Sequence, residues 1–231
     1  MLLCYYMDPA KEAETIKKFG IDIESLKREQ SNLAKNITLK DETEFNNIEF
    51  IGSFSNIIIG SKILSAVVVT DKAFNIVDEK FFIDRVNFPY LAEFRSYREL
   101  PAMLKALEQL EQKPELFLID GLGINHPRLG EASHFSINTD IPSIAITDNS
   151  IGFNISDDKL FINDKEVGRV IQTKQGSKPL FVSPGSGVSI ETAVKIVKDL
   201  VRPPHKLPEV MKLARKYAKK IHGELFKNNQ S

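Results

Sequence analysis

Cys4 is the only cysteine in this 231-residue chain. Its solitude excludes an internal disulfide framework and a multi-cysteine zinc site, and it fits a reducing compartment. Near the N-terminus it reads as a bystander thiol rather than a nucleophile. Net charge is missing too, since 31 Lys and Arg balance 31 Asp and Glu. No overall bias draws the chain to nucleic acid or membrane, so any polyanion site must be a local patch. Long hydrophobic runs are absent as well. No stretch approaches the roughly 20 apolar residues of a membrane span. The opening Met1-Leu-Leu-Cys-Tyr-Tyr-Met lacks the basic start and apolar core of a signal peptide. A cytoplasmic protein without membrane partners is expected.

What remains is an ordinary globular composition, long enough for one domain with a sizeable core. Asp8 caps a predicted helix with Pro9 in its first turn, ending at Gly20, and a second helix follows Asp22. The acidic stretch 37–47 reads as a connector. Segments 48–59, 63–70 and 73–83, joined by Gly60-Ser61 and Asp71-Lys72, form a meander whose short turns demand antiparallel neighbours.

Apolar residues at Phe94, Leu100, Leu104, Leu107 and Leu110 predict an amphipathic helix over 93–112. Pro101 within it predicts a start near Leu100 or a kink. Strands follow at 116–119 and 142–146, separated by a helical or irregular segment around 131–137. Segments 160–172 and 180–182 read as peripheral β structure. Ser189 caps a helix to Leu200, and a Pro-rich hinge at 202–208 precedes a last helix to about Phe226. The order βββ-α-β-α-β indicates a mixed α/β sheet covered by helices. Residues 1–24 read as a helical extension, 25–226 as the main domain and 227–231 as a tail.

Leu116-Phe-Leu-Ile-Asp120-Gly-Leu-Gly-Ile-Asn-His126-Pro is the most informative stretch. A carboxylate where a buried strand gives way to glycines is how α/β proteins present chemistry. A charge there costs several kcal/mol unless it is paired or binds a cation, on the order of the penalty for any buried ion. Asp120 is therefore the leading candidate for a metal or acid–base site, the alternative being a carboxylate that caps its own turn. Gly121 and Gly123 permit a tight turn and a close ligand. His126 suits a general base, a metal ligand or a phosphate contact. From Arg202 on, Arg202, Lys206, Lys212, Arg215, Lys216, Lys219, Lys220 and Lys227 face only Glu209 and Glu224. This is either a solvated helix face or a phosphate-backbone contact through Arg215, Lys216 and Lys219.

Ordered blocks carry a resemblance. Gln30-Ser-Asn-Leu33-Ala34 is followed by Pro89-Tyr90-Leu91-Ala92-Glu-Phe-Arg-Ser-Tyr-Arg98-Glu99. Asp120-Gly121-x-Gly123-x-x-His126-Pro127-Arg128 then runs into Gly130-x-Ala132-Ser133-His134. Val182-Ser183-Pro184-Gly185 with Ser189-x-Glu191-Thr192-Ala193 closes the series. From about residue 25 to 222 the chain resembles endonuclease V, the family that cuts nucleic acid one phosphodiester beyond a deaminated purine such as inosine. The resemblance implies an RNase H-like fold with Mg²⁺ (or Mn²⁺) held by carboxylates. Glu99 and Asp120 would be ligands and catalytic groups, His126 would assist, Tyr90 would act as the strand-opening wedge, and Gly121 and Gly123 would frame the base pocket.

The departures cluster on the chemistry. Family members usually have Gly-x-Asp on the first strand, where this chain reads Gly52-Ser53-Phe54. Asp148 stands where a catalytic lysine is expected, Ala214-Arg215 replaces an Ala-His pair, and Ala92 replaces the wedge's last proline. Losing one carboxylate of three weakens a hard-cation site, and Asp148 reverses a charge near the scissile phosphate. The expectation is a monomeric protein that binds DNA or RNA at inosine or other deaminated bases, with cleavage lost or strongly reduced. The alternative is an active Mg²⁺-dependent endonuclease. Asp148 is also a candidate to restore the missing charge in a displaced metal site with Glu99 and Asp120.

Overall fold

The computed structural model describes residues 8–150 and 152–226. Cys4 and the tail from Lys227 lie outside the described residues. Helix α1 (Pro9–Phe19) opens on Asp8, whose carboxylate accepts from the Ala10 amide at 2.9 Å. Asp22 caps α2 (Ile23–Leu33) in the same way. Each such cap is worth about 1 kcal/mol. The acidic connector carries no regular element beyond the short 3₁₀ turn Ala34–Asn36 before it.

Strands β1 (Ile51–Ile59), β2 (Lys62–Thr70) and β3 (Ile76–Arg85) form the expected antiparallel meander. Gly60, at φ +58°, makes the tight β1–β2 turn that a side chain would strain. Helix α3 (Arg95–Glu108) leads to β4 (Leu116–Asp120), then α4 (Glu131–Thr139) to β5 (Ser143–Thr147). Strands β6 (Asn154–Ser156), β7 (Lys159–Ile162), β8 (Lys165–Ile171) and β9 (Leu180–Ser186) follow, then α5 (Ile190–Asp199) and α6 (Glu209–Phe226). One nine-stranded sheet runs β3-β2-β1-β4-β5-β9-β8-β7-β6. Only β1–β4 and β4–β5 are parallel pairs.

Alternation along β4 explains the layering. Phe117 and Ile119 pack with Leu100, Met103, Ala106 and Leu107 of α3 and Phe135 of α4. Leu116 and Leu118 face the other way, against Ala193 and Val197 of α5 and Val210 and Met211 of α6. A strand covered on both faces needs a continuous apolar run, which is why 116–119 has no polar position. Asp120 shares the parity of Leu116 and Leu118 and so points to the α5–α6 side.

Two sequence expectations change. The α3 helix begins at Arg95 and carries Pro101 inside it rather than starting near Leu100. Pro101 is exposed and its missing amide would have bonded the Tyr97 carbonyl, so the loss is confined to one turn. Strand β9 is also central rather than peripheral, pairing with both β5 and β8. Ser183, Pro184, Gly185 and Ser186 disguise it, yet all are buried. The Ser183 hydroxyl donates to the Val167 carbonyl at 2.7 Å, and the pairing with β5 shifts register between Ser143 and Ile144, beside Pro184. Such an irregularity is where a sheet tolerates proline.

Candidate active site

The C-terminal ends of the parallel strands open onto a cavity of about 430 Å³. Its walls include Tyr90, Arg95, Glu99, Asp120, Gly121, His126, Glu131, Asp148 and Arg215. Residues as far apart as Tyr90 and Arg215 meet here because β4 and β5 end side by side and α3 and α6 flank them from opposite faces. Phe54, Gly123, Lys216 and Lys219 are not among the lining residues.

The α3–α4 wall is built on helix spacing. Arg95 and Glu99 lie one turn apart on α3, so their side chains stack. The Arg95 Nε donates to Glu99 Oε1 at 2.7 Å and its Nη2 to Oε2 at 3.1 Å. The Asn56 amide on β1 adds a third donor to Glu99, at 2.7 Å. Glu131, at the start of α4, brings Oε2 to 3.3 Å from the Arg95 Nε. Both acids are buried, with side chains 9% and 3% exposed, whereas Arg95 keeps 35% exposure toward the cavity.

These contacts set the charge states. Burial alone would raise the Glu99 carboxyl, but the adjacent Arg95, with Asn56, holds it below the usual carboxylate range. Glu131 goes the other way. Complete burial drives its carboxyl well up, Arg95 offsets only part of this, and the charges of Glu99 and Asp120 add to the rise. The two acids are thus driven in opposite directions, Glu99 toward its ionised form and Glu131 toward its neutral one.

The opposite wall is looser. Arg215 of α6 donates to Asp120 Oδ2 at 2.7 Å, with the two side chains 44% and 45% exposed. Lys206 donates to Asp148 Oδ2 at 3.0 Å. This hydrogen bond outweighs burial and holds the Asp148 carboxyl below its ordinary value, with Lys178 and Arg215 contributing.

His126 sits between the walls. Its Nδ1 accepts from the amides of Arg128 and Leu129 at 3.1 and 3.0 Å, which places the proton of the neutral ring on Nε2. Burial, with Arg128 nearby, lowers its pKa to about 4. Arg128 in turn bonds Glu93 and, at 2.8 Å, Gln30 of α2. Tyr90 lies under the Arg98 guanidinium, 5.8 Å from its ring centre.

Two sequence-selected positions have other duties. Gly121 borders the cavity, and a Cβ there would come 2.8 Å from Glu131 Oε2. Gly123 lies beneath the lining, where a Cβ would fall 2.0 Å from the Pro184 carbonyl oxygen, so packing against β9 requires its glycine. Phe54 is 4% exposed, stacked on Phe117 at 4.8 Å and edge-on to Phe135 at 5.5 Å. Lys216 and Lys219 stay exposed along α6. Sequence reasoning missed Arg95, Glu131 and Asn56. The one available signal for the first was an arginine four residues before a selected glutamate.

The divalent ion implied by the resemblance does not fit this donor set. Both oxygens of Glu99 are taken by Arg95 and Asn56, and one oxygen each of Asp120 and Asp148 is paired with Arg215 and Lys206. Among the described residues no three His, Cys, Asp or Glu side chains gather as a metal-holding group.

A mixed sheet with helices on both faces and acids at the ends of its parallel strands defines an RNase H-like α/β protein. The family model of endonuclease V matches residues 31–216. The endonuclease V of Dictyoglomus thermophilum is 37% identical over 215 residues, 86% of this chain and 94% of that protein. The crystal structure of endonuclease V from Streptomyces avermitilis superposes with a TM-score of 0.78 at 28% identity, covering 87% and 93% of the two chains. The Ciona intestinalis endonuclease V, solved with a DNA containing an inosine followed by a ribo-adenosine, superposes at 0.79 with 23% identity and coverage of 88% and 98%. The chain belongs to the endonuclease V family.

Proposed function

We propose that this protein binds nucleic acid at inosine or other deaminated bases and has lost, or nearly lost, phosphodiester cleavage. One observation carries the reading. Glu99, Asp120 and Asp148 are each matched by a protein cation, Arg95, Arg215 and Lys206, so a divalent ion would have to displace a charge already in place at every one of them. Freeing Glu99 as a ligand requires breaking its buried pair with Arg95, which costs about 3–5 kcal/mol while the carboxylate stays uncompensated. Phe54, an apolar residue in an aromatic cluster, offers no third acid.

Binding is supported by family membership and by the DNA complex of the Ciona relative. In this reading Tyr90 acts as the wedge and Gly121 borders the base pocket. Arg215, with Lys216 and Lys219 farther along α6, meets phosphates. Neutral His126 offers its Nε2–H to a phosphate or base oxygen. Mg²⁺ or Mn²⁺ binds weakly or not at all.

An active endonuclease remains the second reading, because Glu99, Asp120 and His126 still line one cavity. Labelled DNA and RNA strands with a single inosine, incubated with Mg²⁺ or Mn²⁺, separate the two. The expected result is retention of the inosine strand without scission. Metal-dependent cutting beside inosine, abolished by Asp120→Ala, overturns the proposal in favour of the enzyme.

A further inference from the structure

Arg95 is oddly placed for a structural arginine. It emerges at the first turn of α3 between two buried acids, spends its Nε on both, and still shows a third of its surface to the cavity. A surface ion pair would leave its carboxylate in water, yet Glu99 and Glu131 are among the buried polar residues. Neither Glu131 oxygen accepts a hydrogen bond, so Glu131 is held beside the guanidinium without a donor of its own. On the other wall the Arg215 guanidinium takes Asp120 and is likewise nearly half exposed.

We infer that Arg95 is a built-in cation that takes the place of a divalent ion among Glu99, Glu131 and Asp120, making the cavity a metal-independent site for a phosphate oxyanion. A guanidinium supplies fixed N–H donors in a planar fork that suits both carboxylate and phosphate. Unlike a bound ion it cannot be chelated or exchanged. It carries one charge where a divalent ion carries two, and its Nε lies 2.7 Å from Glu99 and 3.3 Å from Glu131 while Arg215 pairs with Asp120. The exposed faces of Arg95 and Arg215 are then the donors left for an anion entering between them. The choice of a nucleic-acid phosphate as that anion rests on the reading above, whereas the exclusion of metal does not.

The test uses the full chain and Mn²⁺ alone, counting bound ion by loss of the free Mn²⁺ electron paramagnetic resonance signal. Wild type is expected to bind no stoichiometric Mn²⁺. Arg95→Ala is expected to gain a site roughly tenfold tighter or more, because Glu99 and Glu131 lose their cation. Should that variant fail to fold by circular dichroism, Arg95→Gln keeps a donor to Glu99 without the charge and is expected to gain Mn²⁺ in the same sense. Wild type binding Mn²⁺ as tightly as the variants, or neither variant gaining it, overturns the inference. In a second arm an inosine strand is titrated with and without EDTA. Equal affinity supports metal independence, and a requirement for the ion overturns it. A protein that holds no strand under either condition sinks the nucleic-acid reading, and the Mn²⁺ comparison still decides the role of Arg95.

Discussion

The two walls of the cavity hold their charges in different ways. On the α3–α4 side Glu99 and Glu131 are buried, gathered around one guanidinium and backed by an aromatic cluster. On the α6–β5 side Asp120–Arg215 and Asp148–Lys206 join long side chains across solvent, with three of the four groups 44–50% exposed. A buried charge pair is expensive to disturb, because a lost partner leaves an ion in low dielectric. Exposed pairs gain little and let go easily. One wall is thus scaffold, and the other is free to trade its partner for an incoming anion.

The largest effect is expected beneath the buried wall. Phe54→Asp, which would return the family's usual acid to β1, places a carboxylate between Phe117 and Phe135. A loss of stability of at least about 3–5 kcal/mol is expected, the range for truncating a buried phenylalanine. Urea unfolding measures it, and a loss below about 1 kcal/mol would mean that this wall can accept the acid after all.

Next comes pH. Burial lowers the His134 pKa to about 4, with its Nδ1 2.9 Å from the Ser96 hydroxyl. The unfolded ring takes a proton near 6.5, so the stability tied to neutral His134 is complete above 6.5 and drains away as pH falls through 4. At 1.36 kcal/mol per unit the full span is about 3 kcal/mol. Glu131 runs the opposite way, gaining as pH falls, so the diagnostic quantity is the difference between wild type and His134→Gln. The variant should lose this slope in a series of melting temperatures, and parallel curves would exclude His134 as its source.

The smallest stability effect is expected on the open wall. Arg215→Ala should change stability by no more than about 1 kcal/mol. Its consequence should fall on ligand binding, lowering the salt dependence of strand affinity by about one phosphate contact. A large stability loss with an unchanged salt slope would erase the contrast between the walls.

The same contrast explains what could be read from the chain. Local chemistry was legible: Asp8, Asp22 and Ser189 cap where a short polar side chain precedes an apolar periodicity. Asp120, at the end of a fully apolar strand, announced its need for a partner, and the structure supplies Arg215, 95 residues away. That distance is the limit. Arg95 reads as an ordinary exposed helix residue until α4 brings Glu131 beside it, and Glu131 resembles a favourable first-turn acid until the fold buries it. Asn56 is a polar residue next to the apolar run 57–59 of β1, and only the fold brings its amide to Glu99. Strand β9 was misplaced because composition reports local propensity, while buried serines bonded to backbone groups, Ser183 to the Val167 carbonyl and Ser186 to the Thr38 amide, do the work of apolar residues there.

The contact between Gly123 and the Pro184 carbonyl has a mechanical consequence. The loop after β4 is keyed to the irregular segment of β9, and the Ile124 amide donates to the same carbonyl at 2.9 Å. Loop and strand are therefore held in one register, so a substitution along β9 that shifts Pro184 is expected to shift the loop beneath the cavity as well. Directed changes in ligand preference are best sought along β9, by retuning the stiffness of that loop.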